Sequence, residues 1–267
     1  MKEKIWESIL NVRKSSPLVH NITNYVVMNN TANALLAVGA SPIMAHAEDE
    51  VQDMVLISGA LVINMGTLSE RWVNAMKLAL VQANSKNKPV VFDPVGAGAS
   101  AYRNRVIGEL MNTGRFTAVR GNASEIIAMV SADQKTKGVD STVSSDAAFD
   151  SARYLNEKYG TVVCISGATD YVVDGKKIAK VRNGHEMMTR VTGLGCTSTA
   201  LIGAFIATEK NTFLAVTSAM ALIGVAAELV IPVSNGPGSL QMNLLDKLYN
   251  ITQDEFMKTI KLETEHV

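Results

Sequence analysis

Four side chains in this sequence have the chemistry needed to act on a phosphorylated substrate, and each lies just after an apolar run or a glycine turn. Asp93 ends the run "PVVFD", Arg120 and Glu125 lie in "RGNASEI", and Cys196 follows the glycines of "VTGLGC". Two carboxylates can hold Mg²⁺, directly or through its waters, against substrate phosphates, and a guanidinium can bind the same phosphates. The set predicts phosphoryl chemistry.

The stretch from Val191 to Phe205 combines a tight turn with the start of an apolar helix. Gly193 and Gly195 flank one leucine, and Cys196 falls in the first helical turn. Main-chain amides at this end lie at the positive end of the helix dipole, so they can stabilise charge that develops on a transferring phosphoryl group. A simple turn before a helix uses the same glycines, so the loop alone leaves both roles open.

Structural roles also remain open for the two carboxylates. The Asp-Pro pair at Asp93 is typical of a turn, whereas Gly96 and Gly98 would let backbone amides approach a ligand closely. Asn122 and Glu125 have the spacing of a capping box. The capping role is compatible with a functional one, because a capped helix N-terminus is itself an anion site.

The elements that must position these residues alternate along the chain. Apolar runs begin near residues 61, 89, 117 and 161, and segments of helical period begin near Ser69, Ala101 and Asn122. This alternation predicts a largely parallel sheet with helices on both faces. Ligands of such sheets bind outside the carboxyl ends of the strands. Gly66 follows the run that begins near residue 61, and Ser166 ends the run that begins near residue 161, so both are added to the candidate site.

Three further segments have their own predicted structure. The polar residues 131–146 have the composition of a surface loop, and "YVVDGKKIAKV" predicts a hairpin that turns at Asp174-Gly175. A short strand is expected before Val191. From Gly195 onward we expect a wholly helical chain, with the charged residues 254–267 on a solvated helix face.

The apolar run at 213–230 has the length of a membrane span. Thr217, Ser218 and Glu228 interrupt it, and the central helix of a large domain has the same composition. We therefore expect a buried helix.

Composition limits the class of protein. The 267 residues are 47% apolar, no repeat or linker divides them, and one domain over residues 1–267 is expected. Lys and Arg number 25, as do Asp and Glu, so no charge favours nucleic acid or an anionic membrane, and the expected partners are small molecules. The charged N-terminal segment lacks a signal-peptide core, which favours a cytoplasmic protein. Cys164 lies in an apolar strand, so a disulfide is not expected.

Five sequence blocks occur between about Pro17 and Tyr249. They are "PLVHNITNYVVMNNTANALLAVGASPIMAHAEDEV", "VFDPVGAGAS", "RGNASEI", "VTGLGCTSTA" and "GPGSLQMNLLDKLY". In content, order and spacing the chain resembles the hydroxyethylthiazole kinases of thiamine salvage, in the ribokinase-like superfamily. Related sugar kinases share the glycine loop but lack the first block, so that block supports the substrate assignment.

The resemblance implies a three-layer α/β/α ribokinase-like fold with a central, mostly parallel sheet. It also implies transfer of the ATP γ-phosphoryl group to the primary alcohol of 4-methyl-5-(2-hydroxyethyl)thiazole, with Mg²⁺, in a homotrimer with active sites at subunit interfaces. By position it places residues in the thiazole pocket (Asn24, Met44, Gly66 and Gly193), at ATP (Arg120 and Ser166), at the metal (Asp93 and Glu125) and at the reacting groups (Cys196, Gly193 and Gly195).

Two positions depart from the commoner family pattern. Ser166 stands where threonine is frequent and retains the hydroxyl, whereas Leu194 stands where threonine or alanine is frequent and alters the loop's packing or side-chain contacts. Met44 is either a soft contact for the flat heteroaromatic ring or a core residue. His20 and His46 are expected to be structural, although His46 lies close enough to Met44 to border the pocket.

The thiol at Cys196 stands where related sugar kinases place the aspartate that is the candidate base. A helix N-terminus lowers a thiol pKa from about 8.5, so the sequence allows an appreciable thiolate fraction near neutral pH and leaves a base role open, whereas the charge of a nearby triphosphate opposes this shift. Loose phosphoryl-transfer transition states need little base assistance. Our hypothesis is that Cys196 orients the alcohol and does only modest general-base work.

Two other functions remain open from the sequence. One is another ribokinase-like enzyme, such as a hydroxymethylpyrimidine kinase or an ATP-dependent repair enzyme for hydrated nicotinamide cofactors, which would need a different first block. The other is a ligand-binding protein that keeps the fold without turnover. The joint presence of Asp93, Glu125, Arg120 and Cys196 argues against lost catalysis.

Overall fold

The computed structural model describes residues 1–133 and 145–266. The helices are α1 (Lys2–Ser15), α2 (Met28–Ala37), α3 (Val51–Ile57), α4 (Glu70–Ser85), α5 (Ala101–Thr113), α6 (Ala123–Asp133), α7 (Ser145–Tyr159), α8 (Leu194–Ile206), α9 (Thr212–Val230), α10 (Pro237–Asn250) and α11 (Gln253–Thr259), with 3-10 helices at Glu186–Arg190 and Ile231–Val233. The strands are β1 (Leu18–Ile22), β2 (Ser41–Ile43), β3 (Ala60–Asn64), β4 (Val90–Asp93), β5 (Ala118–Asn122), β6 (Val162–Ser166), β7 (Asp170–Asp174), β8 (Lys177–Val181) and β9 (Leu262–His266).

The strands of the described residues form one sheet in the order β2-β1-β3-β4-β5-β6-β7-β8-β9. Neighbouring strands from β2 to β6 are parallel, and β7, β8 and β9 pair antiparallel. The predicted, mostly parallel sheet is confirmed. Because β1 to β6 point the same way, the segments that follow these six strands meet at one edge of the sheet, which we call the carboxyl edge.

Helices cover both faces of the sheet, because successive side chains of each central strand point to opposite sides. In β3, Leu61 and Ile63 pack in a core with α3 to α7, and Val62 packs in a second core with α1, α2, α8, α9 and α10. A central strand such as β3 carries a continuous apolar run because the side chains on its two faces pack into two different cores. The fold is the predicted three-layer α/β/α sandwich.

Side-chain caps fix the predicted helix starts. The Ser69 hydroxyl accepts the Trp72 amide at 3.4 Å, and the Ser100 hydroxyl accepts the Arg103 amide at 3.2 Å. Such caps satisfy amides that lack an intrahelical acceptor. The starts predicted near residues 69, 101 and 122 are confirmed to within one residue.

Helix α9 is the apolar segment that has the length of a membrane span. The composition of Thr212–Val233 would suit a bilayer, yet 83% of its apolar 18-residue stretch is buried inside the protein. The prediction of a buried core helix is confirmed.

The β7 and β8 strands form the predicted hairpin, with its two-residue loop one position further along than expected. Asp174 pairs with Lys177, so Gly175 and Lys176 form the loop. Gly175 has a φ of 58°, a left-handed conformation that glycine adopts at little cost.

The expectation of a wholly helical chain after Gly195 is wrong. The end of the chain forms β9, which pairs antiparallel with β8 at the sheet edge. The solvated helix face predicted for residues 254–267 is present only in its first part, where α11 exposes Asp254 and Lys258, and the prediction is wrong for Leu262–His266. Ion pairs join the two strands, from Lys180 to Glu265 at 2.6 Å and from Arg182 to Glu263 at 3.0 Å. A row of exposed charged residues is typical of an edge strand as well as of a solvated helix face. Here the pairing with β8 determines that the segment is a strand.

The prediction of a short strand before Val191 is also wrong. That segment is the 3-10 helix Glu186–Arg190, and the His185 ring accepts the Met187 amide at its start. Of the predicted loop 131–146, residues 134–144 lie outside the described part of the chain.

Candidate active site

The residues predicted from strand ends lie along the carboxyl edge in the order of the strands. Met44 follows β2, Asn24 follows β1 and Gly66 follows β3, so these three share one half of the edge. Asp93 ends β4 at the centre. The other half carries the remaining predicted residues, which are Arg120 in β5, Glu125 in the first turn of α6 and Ser166 at the end of β6.

Asp93 is completely buried at the centre of this edge. Its Oδ2 accepts hydrogen bonds from Asn64 at 2.9 Å and from the Thr199 hydroxyl at 2.7 Å. Its Oδ1 has no hydrogen-bond partner among the described residues. Burial raises the pKa of Asp93 to about 6, although the Arg120 charge acts in the opposite direction. One oxygen of a buried carboxylate is therefore left to accept a proton or a cation.

Asn64 connects Asp93 to the β1 and β3 loops. Its amide nitrogen donates to Asp93, and its Oδ1 accepts from Asn24 Nδ2 at 2.8 Å and from the Gly66 amide at 2.9 Å. A side chain on Gly66 would collide with Asn24, so the glycine permits this approach. Sequence reasoning missed Asn64 and Thr199, although Asn64 is the polar last residue of an apolar strand, the same signal that identified Asp93.

Glu125 has the capping role that the sequence left open, and it makes one further contact. The reciprocal bonds of a capping box are present, from the Asn122 amide to Glu125 Oε2 and from the Glu125 amide to Asn122 Oδ1, each 2.9 Å long. Glu125 Oε1 also accepts the Gly96 amide at 2.9 Å, which holds the loop after β4. The Glu125 charge is near enough to contribute to the raised pKa of Asp93.

Arg120, Ser166 and Gly195 line a cavity of about 490 Å³ at the β5–β6 half of the edge. A side chain on Gly195 would come within 2.6 Å of Arg120 Nη1, so the guanidinium lies against the glycine backbone. Burial acts to lower the Arg120 pKa, but the charges of nearby groups, Asp93 first among them, raise it overall. The cavity therefore holds a permanent positive charge. The Ser166 hydroxyl donates to the Gly121 carbonyl at 3.3 Å.

Helix α8 begins at Gly193, which has a φ of 82° and caps the helix without a side chain. A side chain on Gly193 would collide with Val27. The Thr197 amide donates to the Gly193 carbonyl at 2.8 Å and is therefore engaged within the helix. The amides of the first helical turn, from Leu194 to Cys196, precede this bond and remain available for an anion. Leu194 itself is buried in the core and lines the cavity.

Cys196 lies between the two halves of the edge. Asn24 Nδ2 donates to its Sγ at 3.5 Å. Burial, with a further contribution from the Asp93 charge, raises the pKa of Cys196 to about 11. The downward shift of the Cys196 pKa inferred from the helix N-terminus is therefore wrong, because desolvation of the thiolate and the adjacent carboxylate outweigh the helix N-terminus. Cys164, by contrast, is fully buried, and both cysteines are free thiols.

Two histidines hold the segment after β2. His20 Nε2 lies 2.9 Å from the Ala45 carbonyl, and burial lowers the His20 pKa, so the ring is neutral and donates this hydrogen bond. His46 Nδ1 lies 3.3 Å from the Met44 carbonyl, and its ring stacks on Trp72 at 3.9 Å. Both histidines have the expected structural contacts, and together they hold the backbone carbonyls of Met44 and Ala45.

A larger cavity, of about 950 Å³, opens at the opposite edge of the sheet. Its lining includes Lys88, Arg115, Lys177 and Lys210 but none of the predicted site residues. Size alone would favour it, yet the polar groups that converge at the carboxyl edge have the chemistry that a phosphorylated substrate requires.

Comparisons with known proteins identify the family of this chain. The model of the hydroxyethylthiazole kinase family matches residues 9–254. The hydroxyethylthiazole kinase of Syntrophus aciditrophicus (strain SB) is 52% identical over 261 residues, 97% of this chain and 97% of that protein. The structure of the hydroxyethylthiazole kinase of Pyrococcus horikoshii OT3 superposes with a TM-score of 0.91 at 42% identity, covering 98% of this chain and 99% of that chain.

A more distant likeness concerns the fold alone. A ribokinase-like superfamily protein of Enterococcus faecalis V583 superposes with a TM-score of 0.64 at 12% identity, covering 90% of this chain and 88% of that chain. The match over most of the chain and the high identity to kinases of one name identify the family. This protein belongs to the hydroxyethylthiazole kinase family.

Proposed function

We propose that the carboxyl edge is the phosphoryl-transfer site of this hydroxyethylthiazole kinase. The enzyme transfers the γ-phosphoryl group of ATP to the primary alcohol of 4-methyl-5-(2-hydroxyethyl)thiazole, in thiamine salvage. The observation that carries the placement is the hydrogen-bonded chain from Asn24 through Asn64 to Asp93. These hydrogen bonds connect one half of the edge to the carboxylate at its centre, next to the first turn of α8.

The acceptor alcohol binds at the β2-β1-β3 half in this proposal. Asn24, Met44, Gly66 and Gly193 border that half, and the fixed Met44 backbone supports a defined wall for a small flat ring. The thioether of Met44 is a soft partner for a heteroaromatic ring. The partial burial of Met44 against the core supports a pre-formed contact.

ATP binds at the β5–β6 half. The cavity lined by Arg120, Ser166 and Gly195 has the volume expected for a small-molecule site, and the half-buried guanidinium of Arg120 suits a polyphosphate. The free amides at the start of α8 face the same region and complement the charge of the transferring group. Donor and acceptor thus approach the centre of the edge from opposite sides.

Mg²⁺ suits the carboxylates of Asp93 and Glu125. Asp93 Oδ1 is a buried oxygen without a hydrogen-bond partner among the described residues, as a cation site requires. Mg²⁺ is typically bound by one or two carboxylates together with substrate phosphates, and Asp93 and Glu125 provide that number of carboxylates. When bound, the ion would neutralise phosphate charge during transfer.

The chain's own residues supply positioning and charge stabilisation. Arg120 and the α8 amides hold the phosphates, and Asn24 orients the Cys196 thiol toward the acceptor half. With a pKa of about 11 the thiol stays protonated at neutral pH, so Cys196 orients the alcohol by hydrogen bonding and does not act as a thiolate base. A loose transition state tolerates this arrangement, because the attacking oxygen needs little prior deprotonation.

The assembly in this proposal is a homotrimer with active sites at subunit interfaces. Tyr25 and Val26 directly follow Asn24 and are 64% and 63% exposed, which supports a subunit contact beside the acceptor half. Light scattering of the purified protein tests the trimer. The use of ATP as co-substrate supports a cytoplasmic location.

The proposed substrate is tested by a panel of alcohols with ADP release as the readout. We expect Mg²⁺-dependent ADP release with the thiazole alcohol and formation of its phosphate ester. Hydroxymethylpyrimidine and hydrated nicotinamide cofactors serve as competitors from the same superfamily. Turnover of either of these in place of the thiazole alcohol, or ligand binding without ADP release, would contradict the proposal.

Cys196→Ala is expected to lower kcat by less than about 10²-fold, because a protonated thiol supplies orientation and not the 10²–10⁴-fold of general-base catalysis. Steady-state kinetics and separately measured ATP binding check this. Cys196→Asp is expected to remain active. A loss beyond about 10⁴-fold in the alanine variant, with ATP binding intact, would assign the thiol a major catalytic role, and a folded but inactive Cys196→Asp protein would argue against its position beside the alcohol.

A further inference from the structure

Arg103 bridges two loops of the carboxyl edge. It lies in the first turn of α5, and its Nη1 donates to the Met65 carbonyl and, at 2.5 Å, to the Val95 carbonyl. Its Nη2 donates to the Gly66 carbonyl at 2.7 Å. Met65 and Gly66 form the loop after β3, and Val95 belongs to the loop after β4. One planar guanidinium therefore fastens two separate loops through their backbones.

Each of these loops contacts a different part of the proposed site. The β3 loop packs on Asn24, and its Gly66 amide donates to Asn64. In the β4 loop the Gly96 amide donates to Glu125. The Arg103 bridge thus joins the half that binds the alcohol to the carboxylates proposed for the metal.

The charge of Arg103 is needed to hold this arrangement. Three carbonyl oxygens from two loops converge on the guanidinium, and without a cation their dipoles would repel one another. No carboxylate of the described residues forms an ion pair with Arg103, so its donors are directed to the loops. A lysine keeps the charge but cannot reproduce the planar fork that reaches three acceptors.

We infer that Arg103 is a positioning residue for phosphoryl transfer, which sets the separation between the alcohol-binding loop and the loop held by Glu125. This inference rests on the proposed function. In-line transfer is sensitive to such a separation, because a misplacement of about 1 Å can reduce the rate about 10²-fold. The nucleotide cavity at the β5–β6 half does not include Arg103.

The test compares Arg103→Ala with Arg105→Ala in the full-length enzyme. Arg105 lies on the same helix, is 67% exposed and, within the described part of the chain, pairs with Glu109 and the Tyr102 ring, so it is the matched control. For Arg103→Ala we expect kcat to fall about 10²-fold and KM for the alcohol to rise, with KM for ATP nearly unchanged. Adding millimolar guanidinium ion should raise the kcat of Arg103→Ala at least about tenfold, because the free ion re-forms the geometry that the side chain had fixed.

Guanidinium rescue separates positioning from a purely structural role, because restoring general stability would not raise kcat well below the melting temperature. A wild-type kcat in Arg103→Ala overturns the inference. So does a lowered kcat that guanidinium fails to restore, if the variant has the same melting temperature as the wild type. If the alanine variant does not fold, Arg103→Lys replaces it, and wild-type kinetics in that variant overturn the inference. Absence of alcohol phosphorylation in the wild type and in Arg105→Ala would contradict the proposed function instead.

Discussion

Replacing Asp93 by asparagine is expected to reduce kcat by about 10³-fold, equivalent to roughly 4 kcal/mol of transition-state stabilisation. The buried carboxylate has one oxygen without a partner among the described residues, and an amide nitrogen at that position would repel a cation. Steady-state kinetics over a range of Mg²⁺ concentrations provide the measurement. Asp174→Asn, on the β7–β8 hairpin, is the matched control and should be fully active. An Asp93→Asn enzyme with wild-type kcat would remove Asp93 from the metal site.

The same substitution makes a separate prediction about stability. Burial raises the pKa of Asp93 from its ordinary value of 3.8, which applies in the unfolded chain, to about 6 in the folded protein. Between these two pH values the folded chain therefore binds more protons than the unfolded chain. The free energy of unfolding of the wild type therefore falls as pH rises through this window, and asparagine lacks this dependence. Relative to the wild type, Asp93→Asn should gain about 3 kcal/mol between about pH 3 and pH 8.

Chemical denaturation in EDTA measures this difference without a contribution from metal binding. The constant effect of exchanging an oxygen for an amide nitrogen cancels, because only the change with pH is compared. Asp170 is also buried with a pKa raised to about 6, but it is present in both proteins. A difference that stays flat with pH would mean that Asp93 is not held at a raised pKa.

Local sequence patterns were sufficient for the parts of the site that depend on neighbouring residues. Asp93 was found because it ends an apolar strand, and the Asn122 and Glu125 cap was found because its two residues are three apart. The turn at Gly193 was found from its glycines. Each feature is fixed within a few residues of the chain, so the sequence contains its cause.

Features that depend on distant residues were missed. Thr199 bonds Asp93 across 106 positions, and Asn64 bonds Asn24 across 40, so neither contact follows from spacing. The Cys196 pKa was predicted in the wrong direction for the same reason. The helix N-terminus is visible in the sequence, whereas the burial that dominates the pKa arises from packing. The edge strand β9 likewise depends on its pairing with β8, about 85 positions away.

Arg120→Met is expected to lower kcat/KM for ATP by about 10³-fold, the lower end of what an arginine contributes to phosphoryl transfer. The Arg120 guanidinium lines the cavity that we propose for ATP and lies against Gly195. Arg120→Lys should recover only part of the activity, because an ammonium cannot form two parallel bonds to a phosphate. Arg115→Met, an exposed arginine at the opposite edge, is the control. Equal activity of the methionine and wild-type enzymes would exclude Arg120 from phosphate binding.

Arg120 should also be coupled to Asp93 in the absence of substrate, which kinetics cannot reveal. Its charge lowers the Asp93 pKa, so its removal leaves a buried carboxylate less compensated and makes ionisation at pH 8 costlier. In EDTA at pH 8 Arg120→Met should therefore destabilise the wild type more than it destabilises Asp93→Asn. This double-mutant cycle isolates the pair, since the neutral asparagine has no charge for Arg120 to compensate. Equal destabilisation in both backgrounds would show that the guanidinium and the carboxylate act independently, and the centre of the site would then lack the charge balance inferred for it.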